Sequence, residues 1–116
     1  MKRKFRLTRS TDFQRVRRLG KSYAHPLIVL IALPNETDRF RCGIAASRSI
    51  GNAVHRNRTK RQIRAALHPL LETIQPGWDM LLIARRPIVG ATTRQIHEAI
   101  ASLLRRSRLL QEVNVN

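Results

Sequence analysis

The stretch "FRCGIAASRSIGNAVHRNRTKRQIRAALHPLLETIQPGWDMLLIA", residues 40–84, reads as strand, turn, helix, turn and strand. Phe40 to Ala46 and Trp78 to Ala84 are short apolar runs bounded by turn residues, the pattern of buried strands. Between them Gly51 supplies a left-handed backbone position without steric cost and Asn52 is a good N-cap, so a helix is expected from about Ala53. Ile63, Ala66, Leu67 and Leu70 form its inner stripe, and Pro69 kinks or ends the regular helix. A strand-helix-strand unit of this kind is a crossover, right-handed by general rules if the two strands are parallel neighbours.

Working outward from this unit, His25-Pro26 introduces "LIVLIAL" at Leu27 to Leu33, and the polar "PNETD" that follows has the composition of a hairpin loop leading into Phe40 to Ala46. These two strands are therefore expected as an antiparallel pair. Upstream, Thr11 followed by Gln14 fits a capping box and Gly20 fits a stop, which predicts a helix over Asp12–Leu19 with Phe13, Val16 and Leu19 inside and Arg15, Arg17 and Arg18 outside or at the margins. Downstream, Thr92 and Gln95 open a helix with Ile96, Ala99, Ile100, Leu103 and Leu104 on one face and Arg105, Arg106 and Arg108 at its C-terminal end. The order is α-β-β-α-β-α: an α+β, single-domain α/β sandwich over residues 1–116, with a basic N-terminal segment at 1–10 and a frayed tail at 111–116.

A net charge of +16 beside 42% hydrophobic residues describes a folded protein whose partner is a polyanion, and excludes an ordinary enzyme for small neutral substrates. The longest apolar run, Leu27 to Leu33, is too short to cross a bilayer, and "MKRKFRLTRSTDF" has no apolar stretch of the secretory kind, so a cytoplasmic location is expected. The single Cys42 forms no internal disulfide and is read as a packed core thiol.

The charge concentrates on the central helix. Counting from Arg56, Lys60, Arg64, Asn57 and Arg61 fall at about 40°, 80°, 100° and 140°, one polar arc away from the apolar stripe. Arg56, Lys60 and Arg64 are successive like charges at i,i+4, each pair costing about 0.2–0.5 kcal/mol, with no acidic residue to offset them. Such a face implies an external anion, met by side chains and by the free amides of the helix N-terminus, with Arg48 just ahead of the turn. A membrane is disfavoured because the helix needs its apolar side for the core. DNA recognition by a helix-turn-helix is disfavoured because strands flank the helix, and base stacking is limited to Phe5, Phe13, Tyr23, Phe40 and Trp78, which leaves the backbone of structured RNA.

The run Arg48, Gly51, Ala53-Val54, Arg56-Asn57-Arg58, Lys60-Arg61 and Arg64 resembles the signature of the bacterial ribonuclease P protein subunit. The basic N-terminus, "DFQRV" at Asp12 to Val16, Gly20 and "LLIARRP" at Leu81 to Pro87 follow in that family's order. The resemblance implies a non-catalytic partner of a catalytic RNA that, with Mg²⁺ bound mainly by the RNA, removes the 5′ leader of precursor tRNA. It implies that Arg48, Asn52, Arg56, Asn57, Arg58, Lys60, Arg61 and Arg64 bind the catalytic RNA, and that a cleft between the first helix and the sheet, around Phe13, Arg17 and Ile31, holds the leader. It also implies a ribosomal-protein-like fold with a left-handed βαβ crossover, against the general rule. Ser49 stands where the family often has a second lysine, and Arg17 and Ile31 where it often has aromatics, so the leader is expected to be held more by charge than by stacking.

Two other readings compete. A self-sufficient nuclease needs an acid-base pair or a carboxylate cluster for Mg²⁺, and neither His25, His55, His68 and His97 nor the seven dispersed carboxylates stand at such spacing in the sequence. A structural RNA-binding protein of the ribosome shares the charge and the fold class, and is separated from the first reading by the Arg56-to-Arg64 pattern alone.

Overall fold

In the computed structural model, which describes residues 5–111, a four-stranded sheet in the order β1-β2-β4-β3 separates two apolar layers. The strands are β1 (Lys21–Ala24), β2 (Ile28–Pro34), β3 (Arg41–Ala46) and β4 (Trp78–Ala84); the helices are α1 (Ser10–Leu19), α2 (Ala53–Leu67) and α3 (Thr93–Arg106). α2 and α3 cover one face, where Ile28, Leu30, Cys42, Ile44, Met80 and Leu82 meet Ile63, Leu67, Ile96, Ile100, Leu103 and Leu104. α1 covers the other, where Val16 packs on Ile31 and Leu81. The result is the expected α/β sandwich.

β4 runs parallel to β3 and antiparallel to β2, so the unit β3-α2-β4 is a crossover between adjacent parallel strands. This corrects the expected hairpin: β2 and β3 are not partners, because β4 lies between them. The physical reason is burial on both faces. Met80, Leu81 and Leu82 are fully buried, and such a strand belongs in the middle of a sheet. The 35–39 loop accommodates the insertion, since the Asn35 N–H donates to the Gly77 carbonyl at 3.0 Å and the Gly77 N–H to the Arg39 carbonyl at 2.9 Å.

A second correction adds a strand, so the order becomes α-β-β-β-α-β-α: β1 pairs antiparallel with β2, Lys21 opposite Ala32 to Ala24 opposite Val29. A third moves the start of α1, which begins at Ser10 with Arg9 as a cap whose side chain makes no capping bond; the Thr11–Gln14 box is not used. Gly20 ends α1 as expected, for lack of space rather than for a left-handed turn. Its backbone is extended, and a Cβ there would stand 2.6 Å from both Ile31 Cγ2 and the Val16 carbonyl oxygen.

The other boundaries agree with the reading above. Asn52 caps α2, Pro69 lies in a 3-10 segment (His68–Thr73) that ends it, and Thr92 and Gln95 form a reciprocal capping box on α3. Cys42 is buried in the core. The tail read as frayed lies outside the described residues from 112 on; Gln111 itself donates its N–H to the Thr73 carbonyl at 2.6 Å.

Candidate nucleic-acid interface

Gly51, at φ 134° and ψ −156°, lets the chain leave the short 3-10 turn Arg48–Ile50 and enter α2. The Asn52 side-chain oxygen then accepts from the His55 N–H at 3.1 Å and lies 2.9 Å from His55 Nδ1. From this fixed start Arg48, Asn52, Asn57, Arg58 and Arg61 are exposed, while Arg56, Lys60 and Arg64 are half-buried along the margin of the helix. Thr59, Ile63, Ala66 and Leu67 face the core. Among the described residues the ion pairs involve Arg15, Arg41 and Arg94, and none reaches a basic residue of α2. The structure therefore brings all eight of the expected RNA-contacting residues onto one helix and the turn before it, and the six cations among them have no ion-pair partner among the described residues.

The inner margin of α2 faces a recess of about 270 Å³ between the N-terminal segment, α1 and β3, lined by Arg6, Phe13, Cys42, Ile44, Lys60 and Arg64. Arg6 bridges Cys42 in parallel fashion and the Leu7 N–H donates to the Cys42 carbonyl at 2.9 Å, so the N-terminal segment runs along the outer edge of β3. Phe13 is half-buried with its ring against Gly43. Burial pushes the Cys42 thiol far above its ordinary range, and the Arg64 charge pulls only weakly the other way, so Cys42 is an inert floor rather than a nucleophile.

The three residues expected in the leader cleft separate. Phe13 and Arg17 stand one helical turn apart on α1, half-buried and exposed, whereas Ile31 is only 6% exposed beneath α1. β2 is an interior strand under a helix, and Ile31 supports α1 instead of offering surface.

Sequence reasoning missed the charged group at the end of this face. Asp79, on β4, has a fully buried side chain that accepts from Arg41 Nε and Nη2, each at 2.9 Å, from Arg15 Nη2 at 2.6 Å and from Asn35 Nδ2 at 3.0 Å. Burial works to raise its pKa, but the hydrogen bonds from Arg41, Asn35 and Arg15 outweigh it and hold the carboxyl below its ordinary value. Arg15 also pairs with Asp12 at 3.2 Å. Asp79 sits 38 residues from Arg41 and 64 from Arg15, and the one local signal was a carboxylate inside an apolar strand.

The histidines stay apart in role. His97 Nδ1 lies 3.0 Å from the Ala66 carbonyl oxygen, joining α3 to α2, and His25 Nδ1 accepts from the Leu27 N–H at 3.0 Å. Among the described residues no three His, Cys, Asp or Glu side chains converge to hold a metal ion. No helix among those residues is long and apolar enough to cross a membrane.

Residues 1–108 match the family model described as Ribonuclease P. The chain is 43% identical over 109 residues to the "Ribonuclease P protein component" of Herpetosiphon aurantiacus, covering 94% of this chain and 89% of that one. It is 38% identical over 113 residues to the protein of the same name from Listeria welshimeri, covering 97% and 95%. Among solved structures it is similar to the Staphylococcus aureus RNase P protein, with a TM-score of 0.83, 35% identity and 92% and 98% coverage. It is also similar to the Thermotoga maritima RNase P protein, with a TM-score of 0.79, 28% identity and 87% and 96% coverage.

Proposed function

Because the chain belongs to the bacterial ribonuclease P protein family, a component of tRNA processing, we propose that it acts as the non-catalytic protein of a ribonucleoprotein that removes the 5′ leader of precursor tRNA. The observation that carries this is the line of cations on α2, which has no ion-pair partner among the described residues. Arg48, Asn52, Asn57, Arg58 and Arg61 form the exposed row toward the catalytic RNA, with phosphate oxygens accepting from the guanidiniums. Arg56, Lys60 and Arg64 form the inner row, of which Lys60 and Arg64 join Arg6 and Phe13 at the mouth of the leader cleft.

In this mechanism the chain moves no proton and holds no nucleophile. Mg²⁺, held mainly by the RNA, would supply the Lewis-acid chemistry of the hydrolysis. The protein holds two polyanions side by side, catalytic RNA and substrate, whose repulsion its cations screen. Its partners are thus the catalytic RNA and precursor tRNA, without DNA or a membrane, and its place of work is the cytoplasm.

Leader release from a precursor tRNA at low Mg²⁺, measured with a bacterial ribonuclease P RNA alone, this protein alone and the two mixed, tests the proposal. The mixture alone should cleave efficiently, and its advantage over RNA alone should shrink as Mg²⁺ rises. Cleavage by the protein alone would return the nuclease reading. An absence of any effect on the RNA, together with co-sedimentation with ribosomes, would favour the ribosomal one.

A further inference from the structure

The Asp79 group stands where α1 must be held at a fixed height above the sheet. Arg41 and Asp79 are opposite residues on β3 and β4, and Gly43, two residues along β3 from Arg41, is the seat of the Phe13 ring. Arg15, two residues along α1 from Phe13, is the side chain that reaches down to Asp79. The two rungs are adjacent: a charged one, Arg15–Asp79–Arg41, and an apolar one, Phe13–Gly43. The carboxylate is saturated with donors, and the polar contacts of Asp79 come from β3, α1 and the loop after β2. With Asp12, Asp79, Arg15 and Arg41 the group is electrically neutral, unlike the row on α2. Neutrality argues against phosphate capture by this group and for a mechanical part.

We infer that Asp79 is a positioning residue for leader binding: through Arg15 it fixes α1 over the sheet, and so sets the opening in which Phe13, Lys60 and Arg64 meet the leader strand. This rests on the proposal that the leader lies in that opening. Arg15 is suited to the task because its guanidinium spans two carboxylates of different elements, Asp12 on its own helix and Asp79 on β4.

The test uses the holoenzyme reconstituted with a bacterial ribonuclease P RNA, and reads the ratio of affinities for a precursor tRNA with a long leader and one with a short leader. Arg15→Gln should lower that ratio by about three- to tenfold, the range expected when one contact that couples two elements is lost. Arg15→Lys, which keeps a charge in reach of Asp79, should restore much of it, and affinity for the RNA subunit should not change in either variant. Asp79→Asn decides between positioning and simple charge. It removes a negative charge, so a purely electrostatic group would bind the long leader more tightly, whereas a positioning residue predicts weaker binding. Circular dichroism and a thermal melt establish that Asp79→Asn is folded; if it is not, Arg15→Gln and Arg15→Lys still give the answer. An unchanged ratio in folded variants overturns the inference while leaving the cleft reading intact, and so does an equal loss for both substrates. A wild-type ratio of one overturns the cleft reading first and the inference with it.

Discussion

The Phe13 ring lies so close to Gly43 that a Cβ built on the glycine would stand 2.7 Å from its Cζ. β3 thus carries a gap in its side-chain row where an aromatic ring from α1 is seated, and the ring stays half-buried at the mouth of the basic recess. Gly43→Ala should unseat the ring at a cost of about 1–3 kcal/mol, the range for overpacking. Urea titration checks the value, and the double variant with Phe13→Leu should recover part of it, since the clash is between those two side chains.

Asp79 makes stability depend on acid. Its folded pKa is depressed, so between that value and the unfolded value of about 3.9 the unfolded chain binds more protons and lowering the pH favours unfolding. The contribution is fully present above that unfolded value and is lost as pH falls through the folded pKa. Asp79→Asn should therefore flatten the acid limb of the stability profile, measured by urea midpoints below about pH 4. Asp79→Ala, which removes the shared acceptor of Arg41, Arg15 and Asn35 while leaving two part-exposed guanidiniums that water can reach, should cost about 1–3 kcal/mol at neutral pH.

The sequence told most where apolar period and cap chemistry agree. Trp78–Ala84, Ala53–Leu67 and Thr93–Arg106 follow from such signals. It failed where neither is present: β1 is "KSYA", exposed at every position except half-buried Tyr23, and is a strand because β2 offers it an edge. The hairpin reading failed because loop composition after Pro34 does not say whether a third strand will intervene; only the burial of β4 on both faces does. The basic row of α2 was legible because a helix places residues four apart on one side. The Asp79 group was not, since its members meet only once β3, β4 and α1 are assembled.

The row on α2 yields a prediction in salt. If Arg58 and Arg61, both exposed and without a carboxylate partner among the described residues, each neutralise a phosphate, replacing either by Ala should reduce the slope of log affinity against log salt by about 0.7–0.9. Filter binding to the RNA subunit across a salt series measures it. Arg94→Ala serves as the comparison, because that residue pairs with Glu98 on α3 at 3.3 Å, and it should leave the slope unchanged.

Finally, the entry into α2 should be sensitive to two substitutions for two different reasons. At Gly51 φ is 134°, and a Cβ would also meet His55 Cβ at 3.2 Å, so Gly51→Ala should cost about 1–3 kcal/mol through backbone strain. Asn52→Ala removes the acceptor for the His55 N–H and should cost about 1 kcal/mol as a lost cap. Both are measured on the protein without RNA, where the charge row plays no part. Asn52→Asp keeps the acceptor and adds a negative charge at the helix N-terminus, so it should retain or raise stability. The same charge would face the phosphates of the RNA, so affinity for the RNA subunit should fall. A variant that gains stability and loses RNA affinity would separate the two roles of that position.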